Sequence, residues 1–202
     1  MGVVGALRDG GDMTPEEHHQ FLEIMNTETQ TCWSIAKDLH TLVQSHERCT
    51  GSWRNDGVSA AQLTKQLRTE VVPQRSVPTG LGLTLSEPAA KDRLVGYVSV
   101  WLAIATKLID HALTHATAPG DIAFAASKGS IQISYPDPHC DRDALKSRLG
   151  RIPRRSERRH FSAELGMGLS LVSKLAEIHD LSVSTEVERD IHTIRVASVQ
   201  EQ

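Results

Sequence analysis

The longest regular pattern in this chain is a heptad alternation close to its N-terminus. From Phe21 to His46, seam positions such as Met25 and Leu39 recur at alternating spacings of four and three residues. Such a narrow seam predicts a helix that packs against other helices. Thr14, followed by a proline and two glutamates, is typical of a helix N-terminus and predicts that this helix begins there.

A second, shorter apolar stripe follows a polar loop. Its members recur at helical spacing until Pro73, and they are Ala60, Leu63, Leu67 and Val71. The two stripes together predict an antiparallel helical hairpin over residues 15–73, after a flexible leader over residues 1–14. Two helices seldom bury a stable core alone, so we expect either a four-helix bundle in a dimer or packing on the following domain.

The remainder of the chain predicts a two-layer α/β sandwich over residues 78–198. A polar, arginine-containing segment at 136–163 has little periodicity, which is typical of a lid. The fold class is therefore α+β. In order, the predicted elements are a strand at 81–85, a helix at about 90–116, strands at 122–126 and 131–133, a helix after Gly168, and strands at about 181–185 and 191–197.

Composition narrows the function classes. The hydrophobic fraction of 39% over 202 residues is enough for a sizeable core. No stretch approaches the roughly 20 apolar residues of a membrane span, and the three cysteines match neither a zinc module nor a disulfide framework. Because nucleic acids are negatively charged, a net charge of -3 predicts that the protein does not bind them. We expect a cytoplasmic protein with no membrane or nucleic-acid partner and no metal site.

A glycine turn before the last helix is the sharpest candidate for chemistry. Gly166 and Gly168 let the backbone approach a ligand closely, and the helix N-terminus behind them offers unpaired N–H groups to an anion. Taken alone, this spacing also fits a turn that merely starts a core helix. The surrounding segments therefore decide whether this turn indicates a ligand site or only the start of a helix.

The order of these segments resembles a bacterial sensor histidine kinase core. The run Gly-Met-Gly-Leu-Ser-Leu-Val from Gly166 is similar to the family's second glycine box, and Leu-Ile-Asp-His-Ala-Leu-Thr-His before Ala116 lies where its N box belongs. By this resemblance, residues 15–73 correspond to the dimerisation and phosphotransfer hairpin. Residues 78–198 correspond to the Bergerat-type, or GHKL, ATP-binding domain.

The sequence departs from that family at the positions that would hold the nucleotide. The N-box asparagine, a Mg²⁺ ligand in such kinases, falls on His111, and the polar residue one turn earlier falls on Lys107. Mg²⁺ prefers oxygen ligands, so these are poor substitutes. The adenine-binding aspartate of the first glycine box falls on Tyr135 by direct alignment, or on Asp137 after a shift of two residues.

These departures predict impaired ATP binding. The residual nucleotide site would consist of Gly166, Gly168, His111 and Asp137. We expect no resident cofactor, ATP with Mg²⁺ being the one that the family would carry. Histidines 111 and 115 have the spacing of a zinc-binding helix, but the glutamate of the metalloprotease motif is absent and no third ligand stands out.

Loss of the nucleotide contacts in a retained fold resembles the kinase-derived histidine phosphotransferases. That resemblance implies phosphoryl transfer between a hairpin histidine and the aspartates of response-regulator receiver domains, within a homodimer. The segment around His19 resembles one kinase subfamily's phosphoacceptor box, and Ser-His-Glu at His46 resembles another's, while His40 flanks the seam. Glu23, one turn after His19, would orient the ring or hold its proton.

Two other functions fit the same residues. The chain would be an active enzyme if an unusual adenine pocket binds ATP, as a histidine kinase or as an anti-sigma-type serine kinase. It would instead be a docking regulator without chemistry if the hairpin only binds partners. The sequence leaves open whether the protein is an enzyme.

Overall fold

The computed structural model of the protein describes residues 14–48, 57–138 and 168–199. Helices are α1 (Pro15–Arg48), α2 (Ala60–Gln66), α3 (Val98–His115) and α4 (Leu169–Ile178), and the chain continues from α2 through a π turn and a short 3₁₀ turn as far as Gln74. Strands are β1 (Gly57–Ser59), β2 (Leu81–Leu85), β3 (Arg93–Val95), β4 (Gly120–Ser127), β5 (Ser130–Pro136), β6 (Leu181–Glu188) and β7 (Ile191–Ser198).

Five strands form one sheet in the order β2-β4-β5-β7-β6. β2 runs parallel to β4, and every other neighbouring pair is antiparallel. Along β4, Ile122 and Phe124 are fully buried whereas Asp121 and Ala123 are exposed, so helices cover only one face of the sheet. The α+β class, with a long N-terminal helix and a two-layer sandwich, is confirmed.

The second helix has the predicted apolar stripe, and the sandwich covers that stripe. Leu63 and Leu67 are fully buried in the same core as Phe124 of the sheet, and α2 packs on β4 and α3. The structure thus packs residues 57–74 on the sandwich, and packing on the following domain was one of the two arrangements expected for the hairpin. A helical stripe looks the same whether a helix or a sheet covers it.

The long central helix begins later than expected. Residues 93–95, predicted as its first turns, form β3, which pairs with β1 in a separate two-stranded sheet. Gly96 follows with a φ of 101°, a conformation that favours glycine and that prevents α3 from continuing backwards. The buried Trp101 then donates its indole N–H to the Val95 carbonyl at 2.8 Å, joining the two elements.

Helix α1 begins at the predicted cap. The Thr14 hydroxyl accepts from the Glu17 N–H at 3.2 Å, and the Glu17 carboxylate accepts from the Thr14 N–H at 2.9 Å, which is a capping box. The backbone hydrogen bond from Thr14 is the main cause that lowers the pKa of Glu17.

Within the described residues, no helix is long and apolar enough to cross a membrane.

Helix α1 faces the sandwich with a mainly polar side. A polar side, centred on the buried Asp38 and Ser45, faces the sandwich. The seam is divided: Leu42 packs against the core of the sandwich, whereas Met25 and Leu39 are 50% exposed, as is the neighbouring Val43 at 56%. α1 therefore contacts the sandwich through small polar residues together with Leu42, and three of its large apolar side chains remain exposed.

Several predicted features lie outside the described residues. They are residues 1–13 of the leader, residues 49–56 of the loop after α1, residues 139–163 of the lid, and Gly166 of the glycine turn.

Candidate functional site

A cavity of about 600 Å³ lies between α1, α3 and the start of α4. From α1 it is lined by Ser34, Lys37, Asp38 and Thr41, from α3 by N-box positions that include Lys107 and His111, and from α4 by Gly168 and Leu171. Arg75 and Ser76, after α2, complete the wall. The structure thus brings the N-box helix and the glycine turn together, as the resemblance implies, and adds α1 as a third wall.

A buried ion pair joins α1 to the N-box helix. The Lys107 ammonium lies 2.9 Å from the Asp38 carboxylate, and their side chains are only 12% and 5% exposed. Lys107 is therefore held by Asp38.

A second ion pair lies on the same cavity wall. The Arg75 guanidinium donates from Nε to Asp110 Oδ1 at 2.9 Å and from Nη1 to the Val71 carbonyl at 2.9 Å. This contact ties the end of the α2 segment to α3 and does not involve α1.

His111 lies inside the sandwich in a stack of aromatic side chains. Its ring centroid is 4.4 Å from that of His115 and 5.8 Å from that of Tyr135. The Tyr135 hydroxyl is 2.8 Å from Nδ1 of His192, a fully buried residue of β7. Neither His111 nor Lys107 presents an oxygen atom, the donor that Mg²⁺ prefers.

The two candidates for the adenine position have different surroundings. Tyr135 lies within β5 with its side chain in the core, and Asp137 is the first residue after that strand. Asp137 therefore lies directly after a strand, whereas Tyr135 lies inside it. Its N–H donates to the Asp190 carbonyl at 2.9 Å, which fixes its backbone beside the β6–β7 turn.

Gly168 opens α4 as predicted. Its φ of 53° and ψ of -134° suit glycine, and no side chain caps the helix. The buried Leu169, Val172 and Leu175 then anchor α4 in the core.

The candidate phosphoacceptors are spread along α1. The His19 side chain is 75% exposed, and its Nε2 lies 3.4 Å from Glu23 Oε1. His40 is exposed, with its Nε2 2.9 Å from Nε2 of Gln44, and His46 is exposed too. None of them lines the cavity.

Another buried histidine lies at the opposite end of α4. His179 is 2% exposed and borders a second cavity of about 1020 Å³, together with Lys91, Arg93 and Lys128. Burial lowers the pKa of His179 from 6.5, and the nearby Asp180 carboxylate opposes that change. Among the described residues, no group of three or more histidine, cysteine, aspartate or glutamate side chains is arranged to hold a metal ion.

Sequence reasoning did not single out Asp38 or His192. Asp38 lies off the heptad seam, and its only signal is its place among small polar residues three or four positions apart, such as Ser34, Thr41 and Ser45. His192 looked like any polar residue of a strand. Both acquire their roles from contacts with distant segments, Lys107 and Tyr135.

Solved structures of histidine kinases share this architecture. The chain superposes on Acinetobacter baumannii histidine kinase AdeS with a TM-score of 0.53 at 12% identity, over 98% of this chain and 92% of that one. For full-length ShkA in complex with AMPPNP the TM-score is 0.57 at 16% identity, over 96% of this chain and 42% of that one. For mycobacterial sensor histidine kinase MprB it is 0.52 at 12% identity, over 70% and 94%.

This chain has the fold of a histidine kinase core. No protein-family model and no curated protein matches its sequence. The matches to AdeS and ShkA extend over almost the whole chain, so the shared architecture includes α1 as well as the sandwich.

Proposed function

We propose that this protein belongs to two-component signalling and acts as a histidine phosphotransferase. In this proposal His19 exchanges a phosphoryl group with the aspartate of a response-regulator receiver domain, without ATP. The observation that carries it is the buried Asp38–Lys107 pair, which fills an N-box position with a neutralised cation while the fold around it is retained.

The geometry of His19 suits an acceptor. Glu23 lies beside Nε2, so an N–H at Nε2 that points to the carboxylate leaves the electron pair on Nδ1. That pair attacks phosphorus, the bond to the receiver's aspartate oxygen breaks, and the aspartate leaves as a carboxylate. Glu23 stabilises the positive charge that develops on the ring.

The position of His19 favours a donor outside this chain. Nineteen residues separate His19 from Asp38 at the cavity, which is about 28 Å along a helix. A ligand in that cavity therefore cannot reach His19 of the same chain. A receiver domain can, because the surrounding surface of α1 is exposed.

The seam of α1 supports a homodimer. Met25 and Leu39 of the seam, and Val43 one turn after Leu39, lie on one side of the helix and are half exposed or more. A second copy of α1 would cover them. Sedimentation should show a dimer that becomes monomeric in Leu39→Asp but not in Thr29→Asp, an exposed position of the same helix.

A transfer assay tests the phosphoryl chemistry. Receiver domains with a radiolabelled phosphoaspartate are mixed with the wild-type protein and with His19→Gln, His40→Gln and His46→Gln. We expect label on the wild type and on the last two variants, and none on His19→Gln. His18→Gln is the matched control, because His18 is adjacent and also exposed.

Two outcomes contradict the proposal in different ways. If His19→Gln still takes up label and either His40→Gln or His46→Gln does not, the histidine replaced in the unlabelled variant is the acceptor. A wild-type protein that takes up no label from any receiver would refute phosphotransfer.

The cavity supports a second candidate, a nucleotide-binding protein. Lys37 and Arg75 line it beside Gly168, and Asp137 follows β5 where an adenine-binding aspartate belongs. ShkA was solved with AMPPNP. Calorimetry with ATP, with and without Mg²⁺, discriminates: binding with a Kd from about micromolar to millimolar would favour this candidate, and its absence favours phosphotransfer.

A further inference from the structure

The cavity at the C-terminal end of α4 has a frame of main-chain hydrogen bonds. It measures about 1020 Å³, and four separate segments of the chain line it. The Gly129 N–H donates to the Arg93 carbonyl at 2.8 Å, and the Ser198 N–H donates to the Gly129 carbonyl at 2.8 Å. The next residue, Val199, donates its N–H to the Asp180 carbonyl at 3.4 Å. Backbone contacts therefore fix the four segments to one another.

Helix α4 separates this cavity from the one beside the N-box helix. Gly168 and Leu171 at the start of α4 line the first cavity, whereas Ala176 and His179 at its end line this one. The 10 residues of α4 extend over about 15 Å. The two cavities are therefore distinct sites.

Opposite charges line the two sides of this cavity. Lys91, Arg93 and Lys128 lie on the basic side, and Glu177 and Asp180 lie on the acidic side. Among the residues that the structure describes, no ion pair joins these three cations to these two carboxylates. Arg93 and Asp180 lie at the two ends of the hydrogen-bonded row, about 14 Å apart at about 4.8 Å for each backbone spacing. The two charged sides thus face the same cavity without forming ion pairs across it.

The other polar groups nearby do not cancel this arrangement. The Asp92 carboxylate, which is also on the basic side, accepts from the Ala89 N–H at 3.1 Å within its own turn. Glu177 lies 2.6 Å from the Lys174 ammonium, but both side chains are more than half exposed, and such surface pairs are weak. Burial keeps the pKa of His179 below 6.5, so this side chain is mostly neutral at pH 7. The C-terminus of α4 adds a partial negative charge to the acidic side.

Apolar side chains complete the lining of the cavity. They are Val95, Ala176, Leu181 and Val199. Val199 is 63% exposed, so an apolar group bound in the cavity would remove its side chain from water. The lining therefore suits a ligand that has two opposite charges and an apolar part.

We propose that this cavity binds a short zwitterionic peptide of two or three residues with an apolar side chain. Its carboxylate lies against Lys91 and Lys128, and its ammonium lies against Glu177 and the C-terminus of α4. An extended chain of three residues spans about 10 Å, which leaves room for the charged side chains within a row of about 14 Å. A single amino acid carries both charges on one carbon atom and reaches only one side. The site depends neither on phosphoryl transfer nor on nucleotide binding.

An NMR titration of the isotope-labelled whole protein tests this site. The peptide Ala-Leu-Ala should shift the amide signals of Gly129, Leu181 and Ser198 with a Kd of about 1 mM. The N-acetylated peptide lacks the ammonium and the C-terminally amidated peptide lacks the carboxylate, so each should bind at least about tenfold more weakly. The signals of Gly168 and Leu171 in the first cavity should not move.

Single substitutions identify which end of the peptide each side binds. Lys128→Gln should weaken the binding of Ala-Leu-Ala about fivefold but leave the amidated peptide unaffected, because that peptide has no carboxylate. Glu177→Gln should weaken Ala-Leu-Ala by a similar factor but leave the N-acetylated peptide unaffected. Lys65→Gln is the matched control and should bind like the wild type, since Lys65 is exposed on α2 and does not line the cavity.

Several outcomes overturn the proposal. Blocked peptides that bind as tightly as Ala-Leu-Ala would show that the two charged sides do not recognise the ligand. Leucine that binds as tightly as the peptide would exclude a ligand that spans the cavity. Unmoved signals of Gly129 and Ser198 at about ten times the expected Kd would show that the cavity is not a peptide site. A Lys65→Gln effect as large as that of Lys128→Gln would show that binding depends only on overall charge.

Discussion

Truncation of Leu67 measures directly whether the second helix belongs to the sandwich. Leu67 is fully buried among core residues of the sheet and α3. Leu67→Ala removes about three methylene equivalents, worth about 2.4 kcal/mol at about 0.8 kcal/mol each. The cavity left behind raises the expected loss to about 3–4 kcal/mol. For a chain of this size, that corresponds to a Tm lower by about 6–16 °C.

The assay is urea unfolding followed by tryptophan fluorescence, to which Trp101, buried in α3, contributes. The matched control is Leu39→Ala, the same change at a position of α1 that is 50% exposed, where we expect less than about 1 kcal/mol in dilute monomeric protein. Equal losses in the two variants, or a loss below about 1 kcal/mol for Leu67→Ala, would refute the assignment of α2 to the sandwich core.

Three further predictions follow from local contacts. Because burial holds the pKa of His179 below 6.5, the unfolded chain binds its proton first, so stability should fall as pH drops below 6.5. His179→Gln should flatten that part of a stability-against-pH curve, and an unchanged slope would contradict the reasoning. Thr14→Ala should cost about 1 kcal/mol in the first turn of α1 and speed its hydrogen exchange. The lowered pKa of Glu17 means that this cap holds above pH 4.5 and is lost as pH falls through the folded-state value. Tyr135→Phe removes the buried hydrogen bond to His192 and should lower the free energy of unfolding by about 1–3 kcal/mol, which a thermal melt would detect. A melt identical to wild type would show that this bond contributes nothing.

The alternation of apolar and polar residues predicted the positions of most strands. β2 was predicted at its observed bounds, and the hairpin of β4 and β5 was found with both strands a few residues longer than predicted. Alternation of apolar and polar residues is a property of each segment alone, so it survives without knowledge of the partner strand. β3 was missed because three residues give no period, and Gly96 looked like an ordinary glycine until its φ of 101° was known.

The candidate site divides in the same way. Periodicity and short motifs are local, so they were enough to predict the α+β class, the long N-terminal helix and the likeness of the N-box and glycine-turn segments to a histidine kinase. Three other features became known from the folded chain: α2 packs in the sandwich, Asp137 rather than Tyr135 follows β5, and Asp38 pairs with Lys107. These outcomes depend on contacts between residues far apart in the chain. The local sequence around a charged residue or an apolar stripe does not show which distant group will contact it.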